Sequence, residues 1–470
     1  MDFFLYLKKF FTEYDDSLTH TLNIDPLGMT VIWSAFGQKI FNNRVSSISN
    51  DVRNYTLNLV HHLAIKELVE SGLTLQGQLA HIYPQADILE FKQACLIHSE
   101  NLFVYSILTS KKPVDTFGIL GASKGRAKLG KGEGISLNFS HTKVSHLLVR
   151  QLTLGVSGRY KTPFIDMEFC DKDYRYKHPK YVANWKKASK FINSCDELKK
   201  VKDLLIAHFN KLLKSTHKKP TINFDEVPLE LKNAYQKAFS SAKHVGSMCK
   251  DFWLDVSELN DGAAGCLYEV IQANEEQINR QQVFEQALSL TTDFEVKTKL
   301  QNIIDIEPFL AECDLLFTLL MSQRKQTIQD VFESYQLLGR NINTLPSLAR
   351  TLVDNLQVQE ILGSTAKNRF ASLLKLSLIV HGDDEGTLKS IISVLLKYHA
   401  NIMSKRGQSV WVENDANGSF SCNVKLSKMP SIDKRPTATW YHRYYLSEFK
   451  QLIHGLEGQK EIKDIEADAA

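Results

Sequence analysis

Most of the chain repeats apolar residues at helical spacing, and the stretches are separated by glycine, proline or a change in charge. In DVRNYTLNLVHHLAIKELVES (51–71), Val52, Tyr55, Leu59 and Leu63 recur on one face, Asn50 can cap the first turn, and Gly72 supplies a left-handed stop. Pro26 and Gly28 mark the entry to LGMTVIWSAFGQKIF, whose bulky apolar content predicts a buried helix. A third helix is expected from Asp87 to about Ser110, ahead of Lys111, Lys112 and Pro113. At the start, MDFFLYLKKFFTEYDD places Phe3, Phe4, Leu7, Phe10 and Phe11 on one stripe of an amphipathic helix.

The period then shortens. TFGIL (116–120) and ISLNF (135–139) read as two strands joined by a glycine-punctuated loop, and TPFIDMEF (162–169) reads as another strand. Ser140 is placed to cap a helix over HTKVSHLLVRQLTL, with Val144, Leu147, Leu148 and Leu152 inward and Gly155 at its end. The segment 196–215 is helical again. Beyond Pro220, long helical patterns run to about residue 400 with seams such as Ile306, Phe309 and Leu310, but without the fixed period of a solenoid. QSVWVEN and SFSCNVKL flank Asp415–Gly418, and Asn417-Gly418 between alternating apolar residues predicts a hairpin. TWYHRYYLSEFKQLIHGL predicts a closing helix, and EIKDIEADAA an acidic, frayed tail. The fold class is therefore mainly α, a multi-helix architecture with a small basic α+β module and a C-terminal β-hairpin plus helix. It divides by pattern and charge into 1–112, 113–219, 220–400 and 401–470.

Bulk composition narrows the setting. A chain of 470 residues that is 43% hydrophobic can bury several cores. Its seven cysteines are scattered, odd in number and free of C-x-x-C pairs, which suits a reducing cytoplasm. Asp2 and Lys8-Lys9 interrupt what a signal peptide would need, and no run of about 18 uncharged apolar residues is present to span a membrane.

Charge changes the picture more. Residues 111–219 hold roughly 24 Lys+Arg against roughly 9 Asp+Glu, a balance near +15. The whole chain is only +4, so the remainder sums to about −11 and the positive charge is segregated. A polyanionic partner, DNA or RNA, is the expectation. Within FGILGASKGRAKLGKGEG (117–134), Lys124, Arg126, Lys128 and Lys131 sit among glycines that permit close backbone approach. Arg159 and Lys161 follow, and then Tyr174, Tyr176 and Trp185 interleave with Arg175, Lys177, Lys180 and Lys186, rings for stacking on bases and cations for phosphates. A weaker cluster, Lys434, Arg435, Trp440, Tyr441, His442 and Arg443, lies near the end.

Other chemistry is thinner. Gly125 to Lys131 spells the G-x-x-x-x-G-K of a phosphate-binding loop, but Gly132 stands where that loop needs Ser or Thr, and a strand pattern follows instead of a helix. Asp166 and Glu168, with Glu197-Leu-Lys199, supply the letters of a metal-dependent nuclease, although the second group lies in a helical pattern. His381-Gly-Asp-Asp-Glu385 reads as a helix end with hydrated acids. His61 and His62, adjacent in a helix, point about 100° apart and do not suit a shared metal, and His141 and His146 are awkwardly spaced. Gly155-Val-Ser157-Gly158 misses the nucleophile-elbow spacing. No catalytic residue, metal ligand or cofactor is assigned. The leading expectation is a non-catalytic nucleic-acid-binding subunit with protein partners and no membrane association. The alternatives are a helical scaffold or accessory subunit of a bacterial DNA-processing or phage-defence complex, and a metal-dependent nuclease.

Overall fold

The computed structural model describes residues 25–132, 134–214, 220–274, 278–355, 358, 361–380, 382–415, 417–437 and 439–458. The expected amphipathic helix at the start, the acidic tail and His381 lie outside the described residues. Along the chain the principal elements are α1 (Thr30–Ile40), α2 (Val52–Glu70), α3 (Leu89–Leu108), α4 (Ala122–Leu129), β1 (Ser136–Asn138), α5 (Val182–Ser194), α6 (Asp196–Leu212) and β2 (Thr221–Asn223). They continue as α7 (Leu229–Ala238), α8 (Ala242–Ser257), α9 (Phe294–Leu320), β3 (Lys325–Gln326), α10 (Asp384–Arg406), β4 (Val412–Asn414), β5 (Phe420–Cys422) and α11 (Leu446–Leu456). The protein is mainly helical, with one two-stranded and one three-stranded antiparallel sheet. Among the described residues no helix is long and apolar enough to cross a membrane.

The chain packs into two compact units. One draws on residues before Phe41 and on Asn274–Tyr444, the other on Phe41–Ala273 and on residues from Tyr445 onward. The divisions read at 112, 219 and 400 thus follow charge and period, whereas packing changes hands at 40, 273 and 444.

In the unit containing Phe41–Ala273, α2 is central. It begins where expected, but its cap is Asp51, whose carboxylate accepts the Arg53 N–H at 2.8 Å, rather than Asn50. The single apolar stripe is replaced by burial on nearly every side, because α3, α6 and α8 all pack against it. Its polar residues consequently need interior partners. His61 meets the Tyr235 hydroxyl at 2.9 Å, and His62 meets the Tyr176 hydroxyl at 2.9 Å.

Four expectations here are corrected. Residues 116–120 form turns, not a strand, since Gly118 (φ +75°) and Gly121 (φ +90°) take left-handed conformations that break an extended run. ISLNF does contain β1, but its partner is β2, with Leu137 opposite Ile222, so the strand pairs beyond Pro220. The helix expected over 141–154 is reduced to short turns at Lys143–Ser145 and Gln151–Leu154, because side chains bind the backbone that would have propagated it. Asn101 donates to the Ser145 carbonyl at 2.7 Å, and Gln151 accepts from the Leu147 N–H at 2.7 Å. TPFIDMEF is likewise no strand. It supplies a helix, Lys161–Asp166, that stops short of Glu168 at φ +55°.

The other unit holds the expected hairpin. β4 and β5 pair with Val412 opposite Cys422 and Asn414 opposite Phe420, and Gly418 turns at φ +76°. β3 adds to the outer side of β5, a partner roughly a hundred residues away that no local pattern could announce. The closing helix begins at Leu446, not Thr439. Before it, the N–H groups of Tyr441 and His442 are held by Glu307 at 2.6 and 2.7 Å, and Tyr444 and Tyr445 have φ of +48° and +61°. A carboxylate that captures two consecutive N–H groups leaves them unavailable to a helix.

Candidate nucleic-acid interface

The glycine-rich basic stretch is a helix rather than a mobile loop between strands. α4 starts after Gly121 and ends at Leu129, and it lies against the C-terminal end of α3. Gly125 faces inward: a Cβ there would stand 2.6 Å from Leu108 Cδ1 and 2.9 Å from Val104 Cγ1. The glycine therefore serves close helix packing and not close approach to a ligand. With Ala122 and Gly125 turned to the core, Lys124, Arg126 and Lys128 are exposed around the remaining circumference, and Lys131 is exposed just beyond. Arg126 and Lys128 fall in the last turn, where cations also complement the helix dipole. Arg126 donates to the Thr116 hydroxyl. Lys124, Lys128 and Lys131 make no ion pair among the described residues. Because the helix precedes the Gly130-Lys131 pair and β1 follows, the G-x-x-x-x-G-K match is not a phosphate-binding loop.

The aromatic segment divides sharply. Tyr174, Tyr176 and Trp185 are 3%, 4% and 4% exposed and cannot present faces to bases. They build a cluster with His62, Phe164 and Phe169, in which Trp185 donates to the Phe169 carbonyl at 2.6 Å and Tyr174 donates to the Ser157 carbonyl at 3.3 Å. Lys92, fully buried on α3, fastens the segment by donating to the Tyr174 carbonyl at 2.9 Å, and its ammonium pairs with Asp87 at 2.7 Å. The cations around these rings point outward: Lys177, Lys180 and Lys186 are exposed. Arg175 is exposed but already spans Asp171 and Asp173 at 3.5 and 3.3 Å. Arg159 donates to the Leu154 carbonyl, and Lys161 lies over the Tyr174 ring at 4.7 Å; both are half-buried.

Exposed cations thus fall in two groups. One is carried by α4 near Val104 and Leu108, the other by the segment that follows Tyr174, whose carbonyl Lys92 holds. The later cluster belongs to the other unit and is largely engaged: Arg435 pairs with Asp314 at 3.1 Å and lies over Tyr441, Trp440 is buried, and His442 stacks on Trp33.

Of the carboxylates considered for metal chemistry, Asp166, Glu197 and Asp383 have structural partners, while Glu168 is exposed. Asp166 accepts from the Asn43 side chain at 2.8 Å, while Glu197, in the first turn of α6, receives His244 at 2.7 Å and Lys237 at 2.9 Å. Asp383 caps α10. No group of three His, Cys, Asp or Glu suited to a metal occurs among the described residues. The thiols of Cys95, Cys170, Cys249 and Cys313 are pushed up by burial, opposite to the shift a nucleophilic cysteine needs.

One residue that the sequence reading passed over completes the surface. Phe117, in the turn before α4, is 65% exposed. Its apolar neighbours in TFGIL made it look like a strand residue, and the lone signal against that was the glycine after it. No family model, no curated protein and no solved structure matches this chain.

Proposed function

We propose that the protein is a non-catalytic nucleic-acid-binding subunit that grips phosphates through α4 and the cations that follow it. The observation that supports this reading is the set of unpaired, exposed lysines on a helix whose glycine seats it tightly in the core: Lys124 and Lys128, one turn apart, with Lys131 beside them. Lys177, Lys180 and Lys186 extend the same charge. Such contacts act through counterion release, so affinity depends on backbone charge and falls steeply with salt.

The test is fluorescence-anisotropy titration of labelled DNA and RNA over a salt series. Replacing Lys124, Lys128 and Lys131 together by Gln is expected to weaken binding and lower the salt slope by about 2 to 3. An unchanged slope removes α4 from the interface. Absence of saturable binding at low salt overturns the reading in favour of a scaffold whose basic surface docks on an acidic protein.

A further inference from the structure

We infer that Phe117 is a base-stacking residue, so that the nucleic acid recognised is single-stranded, with an unpaired base laid on the ring while α4 holds the flanking phosphates. The inference rests on the function proposed above and specifies its ligand.

Among the described residues of its unit, Phe117 is the one exposed Phe, Tyr or Trp, while Tyr174, Tyr176, Tyr181 and Trp185 are buried. An exposed phenylalanine on a slack loop would mean little. This one stands on a backbone anchored from beneath. Arg53, 1% exposed, donates to the carbonyls of Phe117 and Asp115, both at 2.5 Å, while its guanidinium pairs with Asp51 at 2.6 Å. Asn54 donates to the Gly118 carbonyl at 2.9 Å, and the Asp115 carboxylate accepts the Phe117 N–H at 2.9 Å. Gly118, at φ +75°, approaches Asp51 so closely that a Cβ would lie 2.6 Å from its carboxylate. Burying a charged pair to hold a surface turn is costly, and its effect here is to fix the backbone that carries one exposed apolar ring before any partner arrives.

The surroundings select the partner. Thr116, next to the ring, receives Arg126, and Lys124 and Lys128 share that helix. Lys111 and Lys112, a few residues before it in the chain, are exposed, and the intervening acid, Asp115, is paired with Arg53. A planar apolar face bordered by cations is what a base and its phosphates require, and a duplex keeps its base faces stacked within.

The experiment compares Phe117→Ala, Phe117→Trp and the triple lysine variant on labelled oligothymidylate and on a duplex of equal length, after thermal melts confirm folding. Phe117→Ala is expected to weaken oligothymidylate binding by about 5- to 100-fold with an unchanged salt slope and to leave duplex binding alone, while Phe117→Trp restores the affinity. Equal losses on both ligands, or less than about a twofold loss on oligothymidylate while the lysine variant still loses affinity, would overturn the stacking role and leave phosphate binding standing. Wild-type protein that binds neither ligand defeats both readings.

Discussion

Glu307 carries the heaviest local demand. Its Oε1 accepts the N–H groups of Tyr441 and His442, and its Oε2 accepts Trp33 Nε1 at 3.0 Å and the Tyr444 hydroxyl at 2.6 Å. Burial pushes its carboxyl up to about 7, against those four donors, which pull it down. The folded state thus holds this proton more tightly than the unfolded chain, so the stability it contributes is greatest below the ordinary carboxyl value of 4.5 and is lost as pH rises through about 7. Glu307→Gln removes that dependence, but its amide nitrogen must face two donors that then lack an acceptor. A destabilisation of about 2 to 4 kcal/mol is expected in urea unfolding, and an unchanged midpoint would show that the carboxyl does not hold the Tyr441–Tyr444 strap. At this scale the sequence disclosed residue types and not partners. Tyr174, Tyr176 and Trp185 looked the same whether they faced bases or the core, because irregular spacing does not report burial. Arg53 gave no hint of its role, since the carbonyls it holds lie more than sixty residues on.

Among elements, the pairing of α8 with α11 depends on one glycine. A Cβ at Gly246 would lie 1.8 Å from the Gly455 carbonyl oxygen, and backbone cannot yield as a flexible side chain does. Gly246→Ala is expected to lower stability by about 2 kcal/mol or more, read as a drop in Tm, whereas Gly455→Ala, whose added carbon meets Val52 at 3.4 Å, should cost less than about 1 kcal/mol. Equal effects would mean that the helices separate at little cost. Long helices and the hairpin were legible because period and Asn417-Gly418 agreed with the packing. Residues 116–120 and 162–169 misled because short apolar runs fit a strand or a buried turn of helix equally well. The basic character of 124–131 was legible, but that it is a helix seated on Val104 and Leu108 was not, since a glycine in contact with another helix is indistinguishable from a glycine in a loop.

For the molecule as a whole, the unit built on α2 should be sensitive to acid. Burial holds the imidazoles of His61 and His62 down to about 3 and that of His208 to about 4, and burial also lowers His98, which shares a 2.9 Å contact with His208. His62 is lowered further by the nearby Lys92 and Lys161, and His208 by Lys211. Each depressed value means that the unfolded chain takes up the proton first, at about 6.5, so stability is complete above that pH and is lost as pH falls toward 3 to 4. The loss is about 1.4 kcal/mol per pH unit for each histidine. Glu100, whose carboxyl burial raises, acts in the opposite sense, as one group against four. Urea midpoints measured down the pH scale should fall between pH 6 and 4, and His61→Asn with His208→Asn should flatten that fall. A flat wild-type profile would mean that these histidines do not report the folded core. The alternation of the two units along the chain also governs how the protein can be made. Chain emerging from a ribosome presents α8 about two hundred residues before α11, so the Gly246 surface waits uncovered while Asn274–Tyr444 is synthesised. The unit built on α2 therefore gains its last helix only after Asn274–Tyr444, which belong to the other unit, have been translated.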